Sequence, residues 1–191
     1  ELLAVLTEDQ RKKLALRIEG PKGGVVHEEA ADPEAEDLAR DIEAAGPNVF
    51  SGYWNRPELN ATEFTADGFF RTGDVGTIDA DGYVTIVGRE KDLIITGGLN
   101  VYPKEIEEAI DAQPGVAHSA VVGVPDADFG EAVVAVVVAL DGATLNVGEM
   151  REALRVVLAA YKVPKRIHVV DALPHNAMGK VEKSKLRNTY A

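Results

Sequence analysis

The rhythm of apolar and polar positions changes twice along the chain, and each change predicts a different kind of structure. Residues 1–45 are acidic and helix-prone. "TEDQRKKLALRIE" opens on a Thr cap candidate, and "DPEAEDLARDIEAAG" carries Pro at a first turn and Gly at a stop. The loop "GPKGGVVHEE" separates them, and large apolar residues recur too sparsely here for tight packing. From "GPNVFSGYWNRPE" onward, Gly, Pro, Asn and aromatics mark tightly turning backbone. Short strands follow, "DGFF", "DVGTID" and "YVTIVG". The alternation in the last, behind the turn "ADG", predicts a hairpin.

The second change comes near residue 92. "DLIIT" reads as a strand ending in "GG", and "YPKEIEEAIDAQPG" as a helix with Pro103 at its start and Ile106 and Ile110 on one face. "VAHSAVVGVP" and "EAVVAVVVAL" are β-branched runs about ten residues long, the pattern of buried strands. "NVGEMREALRVVLAAY" predicts an amphipathic helix with Asn146 as its cap, "RIHVVDAL" a last strand and "EKSKLRNTY" a short final helix. Helices and strands alternating around a small sheet predict an α+β fold, with the hairpin region before it as a separate all-β piece.

Composition narrows the picture. The 191 residues suit one ordinary domain or two small ones, and the 46% hydrophobic content supports a core built chiefly of Val, Ala, Leu and Ile. Cysteine is absent, which excludes disulfides and thiolate chemistry. Four scattered histidines, His27, His118, His168 and His175, give no metal-ligand spacing, so no metal site is expected. No strand–GxGxxG–helix unit is present for a dinucleotide cofactor. No apolar run approaches the roughly 20 residues of a membrane span, and the opening residues lack the basic start of a secretory signal. A cytoplasmic protein with no membrane partner is the expectation. The chain opens on Glu, so the start of the gene product is expected upstream of it.

The net charge of −12 argues against a nucleic-acid partner. The charge is unevenly spread: residues 162–191 hold seven Lys/Arg against two acids, and the rest holds 13 against 30. A basic end on an acidic body can draw in an anionic small molecule such as a nucleotide, and it is equally a solvated basic tail.

Four stretches carry candidate chemistry. "FFRTGD" places Asp74 where a strand begins, either as a bidentate acceptor for sugar hydroxyls or as an Asp closing its own turn. "VGREKD" gathers Arg89, Lys91 and Asp92 at a hairpin end, as a solvated turn or an interdomain hinge would. "TGGLNVYPKEIE" sets Gly97 and Gly98 before a helix, where glycine allows close approach of a ligand and a helix start favours anions; a simple turn is the plain alternative. "NAMGK" holds Lys180, either a surface lysine or a compact charge for phosphoryl or adenylyl chemistry, with Gly179 letting its loop turn tightly.

Together, Asp74, Arg89, Lys91, the glycine pair, "YPKEIE" and the terminal Gly-Lys resemble, in order and spacing, the C-terminal part of the AMP-forming acyl-CoA synthetases of the adenylate-forming superfamily. The resemblance covers residues 46–190. "ITGGLNVYPKEIEEAID" and "SAVVGVPDADFGEAVVAVVV" look most like malonyl- or methylmalonyl-CoA synthetases, although medium- and long-chain acyl-CoA synthetases share much of the pattern. It implies that residues 46–90 end the β subdomain of a large domain and that 91–191 form the compact lid domain, a small sheet packed with helices.

The resemblance also implies roles. Asp74 and Arg89 would bind the ribose hydroxyls of ATP, and Lys91 would be the hinge of the lid. Gly97 and Gly98 would line the CoA pantetheine tunnel, and Lys180 would reach the α-phosphate and carboxylate oxygens during adenylation. ATP, CoA and Mg²⁺ would be the cofactors, a small carboxylic acid the substrate, and the metal ligands would lie outside this chain. A lysine acetyltransferase is an implied partner, since acetylating Lys180 removes its charge.

Two features depart from the family. The large N-terminal adenylation domain, with its phosphate loop, acyl pocket and metal-binding acid, is not recognisable, and "GPKGGVVHEE" with Lys22 only faintly resembles the end of that loop. "AEDLARDIEAAG" reads as a helix where the family has a strand. The expectation is a truncated product or fragment whose residues 1–45 do not match the family and are weakly anchored. It is either the lid-bearing end of a synthetase or a non-enzymatic remnant or interaction module.

Overall fold

The computed structural model describes residues 15–19, 40–78 and 83–191. The chain divides after Glu90 into two units. The loop with Lys22 and the turn "ADG" lie outside the described residues.

The first unit holds an antiparallel four-stranded sheet in the order β1 (Ala15–Glu19), β2 (Arg40–Ala45), β3 (Phe70–Ile78) and β4 (Val84–Arg89). The helical readings of "ALRIE" and "RDIEAA" are therefore wrong: both are strands, paired with Ile18 opposite Ile42. Ala, Glu and Arg favour a helix locally, but strand formation is decided by neighbours across the sheet. Here β2 lies between β1 and β3, with Ile42, Glu43 and Ala44 buried. The Glu43 carboxylate is 3.3 Å from the Arg71 guanidinium, and the Thr72 hydroxyl donates to the Ile42 carbonyl at 2.8 Å. Residues 40–45 are thus anchored in the sheet and not loosely attached to it.

The aromatic stretch before β3 contains a short helix, α1 (Pro57–Glu63), started by Pro57. The Asn60 side chain accepts from the Tyr53 N–H at 2.7 Å and donates to the Tyr53 carbonyl at 3.1 Å. Phe50 meets Tyr53, Phe64 and Phe70 edge-on at 5.0, 5.5 and 5.0 Å between ring centres. β3 and β4 close as a hairpin with Ile78 opposite Val84, as the alternation predicts.

The second unit is α+β, as expected. Its five-stranded sheet is built from β5 (Ile94–Thr96), β6 (Leu99–Val101), β7 (Val116–Asp126), β8 (Gly130–Ala139) and β9 (Arg166–Val170). β7 lines one edge of β8 throughout. On the other edge, Thr96 of β5 pairs with Gly130, and β9 then runs parallel to Val134–Val138.

β8 is buried on both faces, which explains its unbroken valines. Val133, Ala135 and Val137 face one cluster with Ile106 and Ile110 of α2 (Pro103–Asp111) and Met150 and Leu154 of α3 (Val147–Val157). Val134, Val136 and Val138 face the other, with Leu173 and with Leu186 of α4 (Lys183–Tyr190). The Asn146 side chain caps α3, accepting from the N–H groups of Gly148 and Glu149 at 3.0 and 3.3 Å.

Because Ile110 is wholly buried between α2 and the sheet, Ile110→Ala should cost about 2–5 kcal/mol of stability. A lowered urea midpoint with unchanged slope would show it; an unchanged midpoint would mean that the site does not carry the core.

Candidate functional site

Apart from Lys91, which opens the second unit, the candidate residues fall at three places, one in the first unit and two in the second. In the first unit, Asp74 and Arg89 are direct cross-strand partners on β3 and β4. Arg89 Nε lies 2.6 Å from Asp74 Oδ1, and Arg89 Nη1 donates to the Thr72 carbonyl at 3.3 Å. The Asp74 N–H donates to the Thr72 hydroxyl at 3.0 Å. Asp74 lies inside β3 and not at its start. Its carboxylate is held by a cation across the sheet, which is a preorganised acceptor and not an Asp closing its own turn. Lys91 follows in a 3-10 turn, Glu90–Asp92, with its side chain exposed.

In the second unit, Gly97 and Gly98 join β5 to β6 with φ of +57° and +80°, and Thr96 pairs with Leu99. Two left-handed residues in a two-residue loop are the geometry of a hairpin turn that few residues other than glycine adopt. The pair does not open a helix, as "GG" before "YPKEIE" suggests; β6 intervenes before α2.

Sequence reasoning missed what lies beside this turn. The Gly97 N–H donates to the Phe129 carbonyl at 2.8 Å, and a groove of about 270 Å³ runs from Thr96 and Gly97 past Phe129 and Val133 to Tyr161 and Lys165. Lys165 Nζ sits 3.7 Å over the Phe129 ring centre and 3.1 Å from Asp126 Oδ2. Asp126 also accepts from the N–H groups of Asp128 and Phe129, both at 3.1 Å. The hydrogen bond from Lys165 and these two N–H groups hold the Asp126 carboxyl below the usual carboxylate range. The available signal was "DADFG", an Asx-type turn pattern closed by glycine.

Lys180 stands on the third site. Asn176 Oδ1 accepts from the N–H groups of Met178 and Lys180, both at 3.0 Å, and the Asn176 N–H donates to the Lys180 carbonyl at 2.9 Å. Gly179, at φ +76°, donates to the Asn176 carbonyl at 2.9 Å. His175 and Val181 bridge the base of the loop. The backbone is fixed while the lysine side chain is exposed, and among the described residues none of the ion pairs involves it. Asn176 was legible as the Asn of an Asn-x-x-Gly turn, a signal that attention to "GK" alone passes over.

The two loops of the second unit anchor on opposite faces of one sheet. The groove by the glycine turn reaches Val133 and Val163, which belong to the cluster under α2 and α3. The Lys180 loop is flanked by Leu173 and Val181, which pack in the cluster under α4. Among the described residues no group of three or more His, Asp or Glu could hold a metal ion, and no helix is long and apolar enough to cross a membrane.

Such a unit, a small sheet displaying a glycine turn and a pinned lysine loop, matches the C-terminal domain of adenylate-forming enzymes. Residues 105–180 match the AMP-binding enzyme C-terminal domain. The chain is 43% identical over 175 residues to a feruloyl-CoA synthase of Amycolatopsis, covering 92% of this chain and 34% of the relative. It is 47% identical over 139 residues to a long-chain-fatty-acid–CoA ligase of Mycobacterium tuberculosis, covering 73% of this chain and 27% of that one. Among solved structures, ATP-bound MatB from Rhodopseudomonas palustris superposes with a TM-score of 0.81 at 52% identity, over 93% of this chain and 34% of MatB.

The chain belongs to the AMP-forming acyl-CoA ligase family and corresponds to its C-terminal part. It spans about a third of the length of the curated relatives it matches. The 175 residues shared with the feruloyl-CoA synthase are more than residues 46–191 can supply, so the likeness reaches well into the segment expected not to match.

Asp126 offers a pH test. Its folded pKa is lowered, so its contribution to stability is present above the ordinary carboxylate value of about 4 and is lost as pH falls through the lowered one. Asp126→Asn should melt below the native protein at pH 6, and the gap should close on acidification toward pH 2. A gap independent of pH would remove the carboxylate from the account.

Proposed function

We propose that this chain is the C-terminal portion of an ATP-dependent acyl-CoA synthetase, working with a large N-terminal adenylation domain in the cytoplasm. In the first half-reaction a carboxylate oxygen attacks the α-phosphorus of ATP, the bond to the β-phosphate oxygen breaks, and pyrophosphate leaves. In the second, the CoA thiol attacks the acyl carbonyl and AMP departs. ATP supplies the activated phosphorus; the residues of this chain bind and orient.

The exposed Lys180 ammonium on a loop fixed by Asn176 is the observation that carries this reading. A charge aimed from rigid backbone stabilises developing negative charge without reorganising during the reaction. Asp74, held by Arg89, suits a ribose diol, because a carboxylate accepts more hydrogen bonds than one guanidinium donates to it. Lys91 serves as the hinge, and the Gly97–Gly98 turn, bare of side chains, lets the pantetheine arm pass close to backbone. Since the two loops anchor on opposite faces of one sheet, a rotation about the hinge would exchange them, which is how one lid serves two half-reactions. The ligands of Mg²⁺ are assigned to the large domain.

The substrate is a carboxylic acid. Relatives named for ferulate and for long-chain fatty acids are of nearly equal identity, 43% and 47%, so this portion does not encode acyl choice. Malonate or methylmalonate is proposed from kinship alone, since the motifs around Gly97 and Phe129 resemble those of malonyl- and methylmalonyl-CoA synthetases. Acetylation of Lys180 by a lysine acetyltransferase would switch adenylation off.

AMP release with ATP, Mg²⁺, CoA and malonate, methylmalonate, acetate or octanoate tests the reading, in residues 1–191 alone and in the protein that also carries the large domain. Acid-dependent release is expected only from the latter. Lys180→Ala should lower adenylation by about a hundredfold to a thousandfold and leave thioester formation from supplied acyl-adenylate intact. Equal loss in both halves would sink the assignment of Lys180.

A further inference from the structure

We infer that helix α4 is a strut tying the Lys180 loop to the turn that holds Lys91, with Arg187 and Asp92 as its positioning residues. The helix begins at Lys183, three residues beyond Lys180. One face of it makes two ion pairs, at positions four residues apart. Lys183 Nζ lies 2.8 Å from Glu107 Oε1 of α2. Arg187 Nη2 lies 2.9 Å from Asp92 Oδ1, in the 3-10 turn next to Lys91. The two carboxylates flank the β5–β6 hairpin in sequence, Asp92 before it and Glu107 after it. One short helix therefore grips both ends of the segment that carries the glycine turn.

Simple fastening of a C-terminal helix does not require this arrangement. Leu186, 4% exposed, already seats α4 on the sheet, and Tyr190 stacks on His168 at 4.3 Å between ring centres. The ion pairs add direction. With side chains 33% and 18% exposed, Arg187 and Asp92 are partly withdrawn from water, where a charged hydrogen bond is stronger than at a fully exposed site and removing either partner leaves the other poorly compensated. Glu107 is fixed as well, because its Oε1 accepts from the Val121 N–H at 2.8 Å. The turn at Lys91, the hairpin bearing Gly97 and Gly98 and the loop bearing Lys180 are thereby held in one frame. A rotation at Lys91 then carries both loops together and does not dissipate in the turn. That consequence rests on the function proposed above; the linkage of helix and turn rests on the ion pairs alone.

Hydrogen exchange on the full chain tests the linkage, using Arg187→Met, Asp92→Asn and the reversed pair Asp92→Arg with Arg187→Asp. Each single change should speed exchange of the amides at 90–94 by roughly tenfold, while those of β7 and β8 stay unchanged. The reversed pair should return the rates to within about twofold of the native chain, a rescue that a merely bulky or helix-forming role for Arg187 would not give. In the complete enzyme, Arg187→Met should change the ratio of adenylation to thioester-forming rates, and the reversed pair should restore it. Unchanged exchange at 90–94 in both single variants, or no rescue in a folded reversed pair, would overturn the strut. Were Lys180→Ala to leave adenylation intact while exchange at 90–94 responds as stated, the functional reading would fall and the strut would stand.

Discussion

Everything in the second unit depends on β8, a strand with no face and no edge left to water along most of its length. Its valines are 0–2% exposed from Val133 to Val137. Both edges are hydrogen-bonded, to β7 on one side and to β5 and then β9 on the other. A strand in that position cannot slip by one residue without moving Val133 and Val137 from the α2–α3 face to the α4 face. Register is therefore fixed, and with it the place of every loop that springs from the sheet. Lys165 shows the reach of this constraint: its N–H donates to the Val133 carbonyl at 2.9 Å, so the groove lysine is placed by the core strand itself.

On that frame the candidate segments share one design. Each is a short turn with its backbone bonded internally and its working surface outward. The Lys180 loop closes on the Asn176 side chain, and the Phe129 turn closes on Asp126. The Gly97–Gly98 turn leans on the Phe129 carbonyl. Rigid backbone under a flexible cationic stem lets Lys180 adapt over its last few bonds while its base stays fixed, which suits the role proposed for it.

How much of this was legible depended on how far the determining contact lay along the chain. From residue 92 onward most elements were read correctly because their signals are local, although β6, the short strand between the glycine pair and α2, was passed over. Pro103 and Asn146 mark helix starts, Ile106 and Ile110 mark a face, and the valine runs mark a doubly covered strand. "RDIEAA" was misread because what makes it a strand is distant: Thr72 and Arg71 reach back some thirty residues to Ile42 and Glu43. Nothing within Ala-Glu-Arg composition carries that information. The Asp74–Arg89 pair was found only through motif order. The Arg187–Asp92 pair, 95 residues apart, left no pattern in the sequence.

That contrast bears on the site as well. Candidate residues such as Lys180 announce themselves through glycine and spacing, because the loop chemistry around them is local. Residues that set where the loop stands do not, because their partners are chosen by the fold. Arg187 looks like one more base in a basic tail, and the tail's net positive charge suggests nonspecific attraction of anions. The structure divides that charge into separate tasks. Lys183 and Arg187 are neutralised against Glu107 and Asp92, and Lys165 against Asp126. Pairing these cations against the body of the unit leaves Lys180 the one of the four whose charge is not answered by a carboxylate among the described residues. An unpaired charge carried on a fixed loop is a more selective device than a basic patch, since Lys180 presents its attraction from one defined point.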